Sequence, residues 1–388
     1  MQIKEKLNYI ETKIGENHDL MEFRSWLNTY LPQHKQLKKI QVGGTNGKGS
    51  TVAWMNQLLS KAGYKVGAFT SPHLLTHFER IRIGSTFISA TDWERIYDQY
   101  ASFFEEKNFT MFEIDLWMAL AYFIEQDVDL ALIEVGLGGR LDATTALDYQ
   151  LLLITNVGME HTELLGDSIE QITFEKAGIF KPGVIALTTE TKENSQKVME
   201  QVASVMQTML GFVSMPYEEK DGKIEFVWLD HRYTMKPPKY QLSNLALALE
   251  GLNQLGYAFE PEWVQSVIDS FVWEGRFMKL NEEPLILVDG AHNLDGIEAL
   301  VQSLPSWSGS IYFSVLKDKD AHKMLELLSS YHCPITLVQM ENKRSYPLKE
   351  FNYPVISEQE LIDILHTSKE DCLLCGSLYF VGDILEQF

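Results

Sequence analysis

KKIQVGGTNGKGST, residues 38–51, carries an apolar β-type run, a glycine-rich turn, a lysine and a pair of hydroxyls in direct succession. A strand feeding such a turn, with a helix after it, brings backbone N–H groups close to a polyphosphate and aims the positive helix end at its charge. Lys48 supplies a mobile cation for the outer phosphates, and Thr45, Asn46, Gly47, Gly49, Ser50 and Thr51 complete the loop. The spacing is not the common G-x-x-x-x-G-K-[ST]: Val42 stands at the first glycine position, and Gly49 separates Lys48 from Ser50 and Thr51. The stretch reads as a mononucleotide site at a strand end, and hence as part of an α/β fold with a mainly parallel sheet.

Short apolar runs alternate with helical stretches along almost the whole chain, the pattern of parallel strands joined by helical crossovers. Strands are expected at 38–42, 65–69, 130–135, 151–155 and 184–188, with helices over 49–62, 91–106, 113–126 and 168–178. The 113–126 stretch is apolar nearly all round and reads as an interior helix. Residues 221–236 read as two short strands about a polar turn, followed by a helix over 241–255. The alternation restarts at LILVD (285–289) and continues through strands at 310–316, 334–340 and 372–376. Two domains are expected: residues 1–278, a nucleotide-binding domain with a small β-hairpin region, and residues 284–388, a smaller Rossmann-like α/β domain.

Parallel strands place their C-terminal ends at one edge, where α/β proteins bind ligands. Glu134 closes the strand in IEVGLGGRLDATT (133–145), so its carboxylate is placed to bind Mg²⁺, and Arg140 and Asp142 follow it. Arg140 could instead be a surface cation and Asp142 a helix cap. Ser71 in TSPH and His161 in TNVGMEHTELLG also follow expected strands, and Lys176 sits in a helix beside Glu175. In the second domain, Asp289 and His292 of VDGAHN follow a strand, and an active site between the domains would use both edges.

The chain has 388 residues with 33 Lys+Arg against 54 Asp+Glu, a net charge of −21. Without a strongly basic block, nucleic acid and anionic membranes are poor partners, whereas a small anionic ligand needs only a few local cations. The N-terminus alternates charges where a secretory signal would be apolar, and no run is long enough to span a bilayer, so a cytoplasmic protein is expected. Cys333, Cys372 and Cys375 are too few for a disulfide framework, and no second ligand pair is spaced to make Cys372-x-x-Cys375 a zinc site.

In order along the chain, GGTNGKGST, TSPHL, EVGLGGRLDAT, HTELLG, FEKAGIFKPG, WEGRF, VDGAHN, DKD and GSLYFVGD resemble the folylpolyglutamate synthase and dihydrofolate synthase family, relatives of the Mur ligases. The resemblance implies a Mur-ligase-like ATP-binding domain, a C-terminal glutamate-ligase domain, and ATP- and Mg²⁺-dependent addition of L-glutamate to a folate or dihydropteroate through an acyl phosphate. It implies that Ser71, Glu134 and His161 hold Mg²⁺, that Lys176 is the carbamylated lysine, and that Asn244, Arg276 and Asp289 contact nucleotide. Thr110, Met111, Phe112 and Glu113, with Leu141, Asp142 and Ala143, match the pterin-binding segments of bifunctional members, and His292 and Ser377 are candidates for handling glutamate. Partners are then small molecules, and a monomer is expected.

The chain departs from the family at His77 and Phe78, where FNERI is common, at Thr145 in DATT, and at Glu160 before the metal histidine. Two other readings remain open: a Mur-like ligase acting on another carboxylate, and a nucleotide-binding regulator using the loop as a switch. A switch leaves the second α/β domain without a task.

Overall fold

The computed structural model describes residues 2–304, 306–342 and 344–388. It divides into two compact units, Met1–Met235 with Gln241–Phe271, and Lys236–Tyr240 with Val272–Phe388.

The first unit is built on eight strands: β1 (Lys39–Gly43), β2 (Val66–Phe69), β3 (Ile81–Ile83), β4 (Thr86–Phe87), β5 (Leu130–Glu134), β6 (Leu151–Ile154), β7 (Ile185–Thr188) and β8 (Met209–Phe212). Their order is β4-β3-β2-β5-β1-β6-β7-β8, parallel from β2 to β8, with β3 and β4 antiparallel. β1, β5 and β6 are buried along their whole length, which is why they read as continuous apolar runs rather than alternating ones.

Successive residues nonetheless serve opposite faces. Leu130, Leu132, Leu151 and Leu153 join one core with the helix Tyr240–Gln254, while Ala131, Ile133, Leu152 and Ile154 join another with Met111–Glu125. The second of these helices is buried at every position from Glu113 to Phe123, as its sequence predicts. Beyond the expected hairpin, three antiparallel strands form, β9 (Tyr217–Lys220), β10 (Lys223–Trp228) and β11 (His231–Met235). β9 is exposed throughout, so it lacks the apolar alternation that would have revealed it.

The second unit contains β12 (Met278–Glu282), β13 (Leu285–Asp289), β14 (Ser310–Phe313), β15 (Ile335–Gln339), β16 (Val355–Ser357) and β17 (Cys372–Cys375), in the order β12-β13-β17-β14-β15-β16. The β12–β13 pairing is antiparallel, and the β13–β17, β14–β17, β14–β15 and β15–β16 pairings are parallel. Cys372 and Cys375 stand three residues apart in β17, so their side chains leave opposite faces of the strand, and burial pushes both thiols up. That geometry does not suit joint ligation of one metal ion.

Gly44 shows how tightly the first sheet is finished at its C-terminal edge. Its φ is +136°, and a Cβ there would lie 1.9 Å from Thr155 Oγ1. Gly44→Ala is expected to destabilise the protein by about 2 kcal/mol or more, through overpacking and backbone strain together. A urea midpoint equal to the parent's would refute this close approach.

Candidate functional site

β1 lies between β5 and β6, so the chain leaves its end at Gly43 flanked by the ends of both neighbours. The glycine loop turns there, and the helix Lys48–Lys61 begins behind Gly47, whose φ of +86° suits glycine. A second loop holds it: Thr45 N donates to Asn156 O (2.8 Å), Asn46 N to Asn156 Oδ1 (3.0 Å) and Thr155 Oγ1 to Asn46 O (2.6 Å). Gly158 N donates to Thr45 Oγ1 at 2.9 Å.

Asn244 abuts the turn so closely that a Cβ on Gly47 would lie 2.2 Å from its Oδ1. Ser50 Oγ accepts from Gln241 Nε2 at 3.3 Å, and the buried Thr51 Oγ1 has no hydrogen-bond partner among the described residues. Gly49 lies in the first turn of the helix. A buried hydroxyl without a partner and a cradle that side chains would fill both fit a phosphate-bearing ligand.

Two amines meet consecutive carbonyls of this loop. Lys48 Nζ donates to Thr45 O at 3.1 Å, and Lys176 Nζ, from the helix Ile169–Ala177, donates to Gly44 O at 2.9 Å. Burial, and after it the Lys48 cation, lower the Lys176 pKa to about 7 against an opposing pull from Glu160. An amine so placed is available in its neutral, nucleophilic form near neutral pH.

Ser71 follows β2 and Glu134 ends β5, and Ser71 N donates to Glu134 Oε2 at 3.1 Å. His161 precedes the short helix Thr162–Leu165 in a left-handed conformation, φ +52°, uncommon outside glycine. Its Nε2 is 4.0 Å from Glu160 Oε1. Carboxylate and hydroxyl oxygens are the hard donors that Mg²⁺ takes, and an imidazole can complete such a set.

The residues matched to pterin binding divide into two kinds. Phe112 packs against Gly136, where a Cβ would come within 2.7 Å of its ring, and Leu141 is 69% exposed on the loop after β5. Met111 opens the helix Met111–Glu125, and Ala143 opens a short 3-10 turn. The carboxylates, by contrast, are consumed locally. Glu113 Oε2 accepts from Thr110 N and Oγ1 (2.8 and 2.9 Å), and its Oε1 pairs with His18 Nδ1 at 3.0 Å.

Asp142 Oδ2 accepts from Gly136 N and Leu137 N at 3.0 Å each, while its Oδ1 accepts from the Thr144 amide at 2.9 Å and from the Thr144 hydroxyl. Burial raises its pKa and these hydrogen bonds oppose the rise. Asp142 therefore folds the glycine-rich loop and caps the turn after it. Arg140 makes a paired contact with Glu175 through Nε and Nη2, at 3.0 and 2.9 Å.

The remaining predicted residues belong to the second unit. Asp289 Oδ2 accepts from Tyr240 Oη (2.6 Å) and Phe277 N (2.9 Å), and Oδ1 from Ala291 N (2.8 Å). Burial raises its pKa, with Arg276 opposing. A Cβ on Gly290 would lie 2.4 Å from Arg276 Nη1. His292 Nδ1 faces Gly290 O at 2.8 Å. Ser377 caps the helix Leu378–Gln387, and Gly376 N donates to Ala291 O at 2.9 Å, so His292 and Ser377 follow adjoining strand ends.

Motif reading passed over Thr155, Asn156 and Gln241, which hold the glycine loop and its helix. The Thr-Asn pair immediately after the apolar strand LLLI was the available signal, and Gln241 carried none.

Residues 42–214 match the Mur ligase middle domain model. The chain is 33% identical to the dihydrofolate synthase/folylpolyglutamate synthase of Bacillus subtilis (strain 168), over 90% of each chain. It is also similar to the crystal structure of a bifunctional folylpolyglutamate synthase/dihydrofolate synthase with Mn, AMPPNP and L-glutamate bound: TM-score 0.89, 27% identity, covering 99% of this chain and 97% of that one. For E. coli FolC in complex with DHPP and ADP the TM-score is 0.88 at 28% identity, covering 99% and 97%. Among the described residues no helix is long and apolar enough to cross a membrane.

Proposed function

The chain belongs to the dihydrofolate synthase/folylpolyglutamate synthase family, and we propose that its glycine loop, Lys48 and Lys176 form the phosphoryl-transfer site of an ATP-dependent ligase joining L-glutamate to folates. The observation that carries this assignment is the meeting of the two amines on consecutive loop carbonyls, Thr45 O and Gly44 O. Ligation of glutamate to folate with ATP and a divalent metal is the activity of the family, and its members from Bacillus subtilis and Escherichia coli carry both the dihydrofolate and the folylpolyglutamate synthase names, while that from Lacticaseibacillus casei carries the second alone.

A carboxylate is a poor electrophile. Its oxygen therefore attacks the γ-phosphorus of ATP, the bond from that phosphorus to the bridging oxygen breaks, and ADP leaves an acyl phosphate behind. Lys48 neutralises charge on the transferred group, and the loop N–H groups orient the phosphates. Ser71, Glu134 and His161 are assigned to hold Mg²⁺, which when bound supplies Lewis-acid stabilisation of phosphate oxygens. The neutral amine of glutamate then attacks the acyl carbon and phosphate leaves. We assign phosphoryl transfer to the first unit and glutamate handling to the second, where His292 and Ser377 follow adjacent strands.

The test is ADP release with L-glutamate and, separately, dihydropteroate, tetrahydrofolate or a carboxylate-ended cell-wall precursor. Turnover is expected with both pterins, and hydrolysis of ATP indifferent to glutamate would overturn the ligase assignment.

A further inference from the structure

The loop after β2 is closed by a partly buried ladder of charges that the reaction above does not use. Glu11, His73 and His77 bring ligand atoms within 4.8 Å of one another, the spacing of a metal site. Hydrogen bonding argues against that use. Arg80 Nε donates to His73 Nδ1 at 3.0 Å, so the other nitrogen of a neutral His73 ring carries the proton. His77 stands between two carboxylates, with Nδ1 3.0 Å from Glu11 Oε1 and Nε2 2.7 Å from Asp115 Oδ1. Both of its nitrogens are therefore donors, and the ring is an imidazolium.

Asp115 is fully buried, and its second oxygen is 3.4 Å from Arg80 Nη1. Two cations from the loop, His77 and Arg80, thus close on one carboxylate of the helix Met111–Glu125 and on Glu11 of the helix Ile3–Thr12. Between Ser71 and this anchor the loop has little freedom, because Glu79 accepts from the N–H groups of Leu74, Leu75 and Thr76 at 2.7–2.8 Å. Its other end is fixed by Ser71 N on Glu134.

From this geometry we infer that His77 is a positioning residue for the metal site: clamped between Asp115 and Glu11, it sets the loop that presents Ser71 beside Glu134. This rests on the assignment of Ser71 and Glu134 to Mg²⁺. The charged groups facing His77 are Glu11, Asp115 and Arg80, with His73 beside it and the neutral Trp93 ring 6.2 Å away. Burial works against the charge of His77, but Asp115 and then Glu11 outweigh it and hold the ring at about 9. Above that pH the ring loses a proton, one carboxylate loses its donor, and the clamp opens.

ADP release is measured against Mg²⁺ concentration and pH for the parent, His77→Phe, Glu11→Gln and Ser71→Ala. His77→Phe is expected to raise the half-saturating Mg²⁺ concentration about tenfold with the KM for L-glutamate unchanged, and to remove the alkaline limb near pH 9. Glu11→Gln alters a half-exposed partner and keeps the ring, so it remains informative if His77→Phe does not fold. It is expected to move the limb about one pH unit towards neutrality. If Ser71→Ala leaves the Mg²⁺ requirement unchanged, the metal assignment fails. If Ser71→Ala changes it while Glu11→Gln and any folded His77→Phe keep the parent's requirement and limb, the positioning role of His77 is overturned.

Discussion

Lys48→Ala is expected to lower kcat/KM for ligation about a thousandfold, a loss of about 4 kcal/mol in the transition state. The side chain is only part-buried, its amine donates to Thr45 O, and alanine suits the first turn of a helix. The fold should survive, with a melting temperature within a few degrees of the parent. Activity within tenfold of the parent in a folded variant would refute the assignment of Lys48 to the transferred phosphate. A second consequence separates loss of a cation from loss of packing. Lys48 lowers the Lys176 pKa, so its removal should raise the pH at which the Lys176 amine titrates.

Local signals made the phosphate loop legible. A buried strand, two positive-φ glycines and a lysine at a helix start are adjacent in sequence, and each constrains the same few residues. Glu134 was legible for a related reason, because a carboxylate ending an apolar run must emerge at the edge of a parallel sheet. The supports were not. Asn156 and Gln241 reach the loop across 110 and 191 residues; the place of Asn156 just after a strand was its one local mark, and Gln241 had none.

The carboxylates of Glu113, Asp142 and Asp289 teach a different lesson. An acidic side chain before a helix or after a strand is equally suited to a ligand and to the orphan N–H groups of the chain's own turns. Thr110-x-x-Glu113 is a capping box in the structure, and its spacing was readable as one. Asp289 and Asp142 each bind two or more backbone N–H groups. Their hydrogen bonds make them organisers of the loops on which any bound molecule would rest. Among the elements not expected from the sequence, β4 spans two residues and β9 is exposed throughout, so neither shows a period long enough to read, whereas the helices Ile3–Thr12, Leu20–Tyr30, Glu193–Met206 and Pro261–Ser270 are long enough to carry one and were passed over.

Lys176 is expected to give the protein a single carbamate when it is equilibrated with ¹³C-labelled bicarbonate near neutral pH. Carbon dioxide adds only to a neutral amine. With a pKa of about 7, roughly three-quarters of Lys176 is neutral near pH 7.5, against about one part in a thousand for an ordinary lysine. The carbamate exchanges a cation near Lys48 for an anion, and its nitrogen keeps one N–H to donate to Gly44 O. One ¹³C carbonyl resonance, absent in Lys176→Ala, would establish it, and Lys176→Ala should lose activity about a hundredfold, partly restored by added acetate. Folding stability carries an independent sign. Between about pH 7 and 10.5 the unfolded chain keeps the Lys176 proton and the folded chain sheds it, so this lysine's contribution to stability rises with pH through that window. Below pH 7 both states hold the proton and the whole cost of the buried charge is present. Lys176→Met removes that cost, so relative to the parent it should gain stability most at low pH and least above 10.5. A difference in stability that does not change with pH would mean that the amine titrates like an exposed lysine, and the carbamate would lose its chemical basis with it.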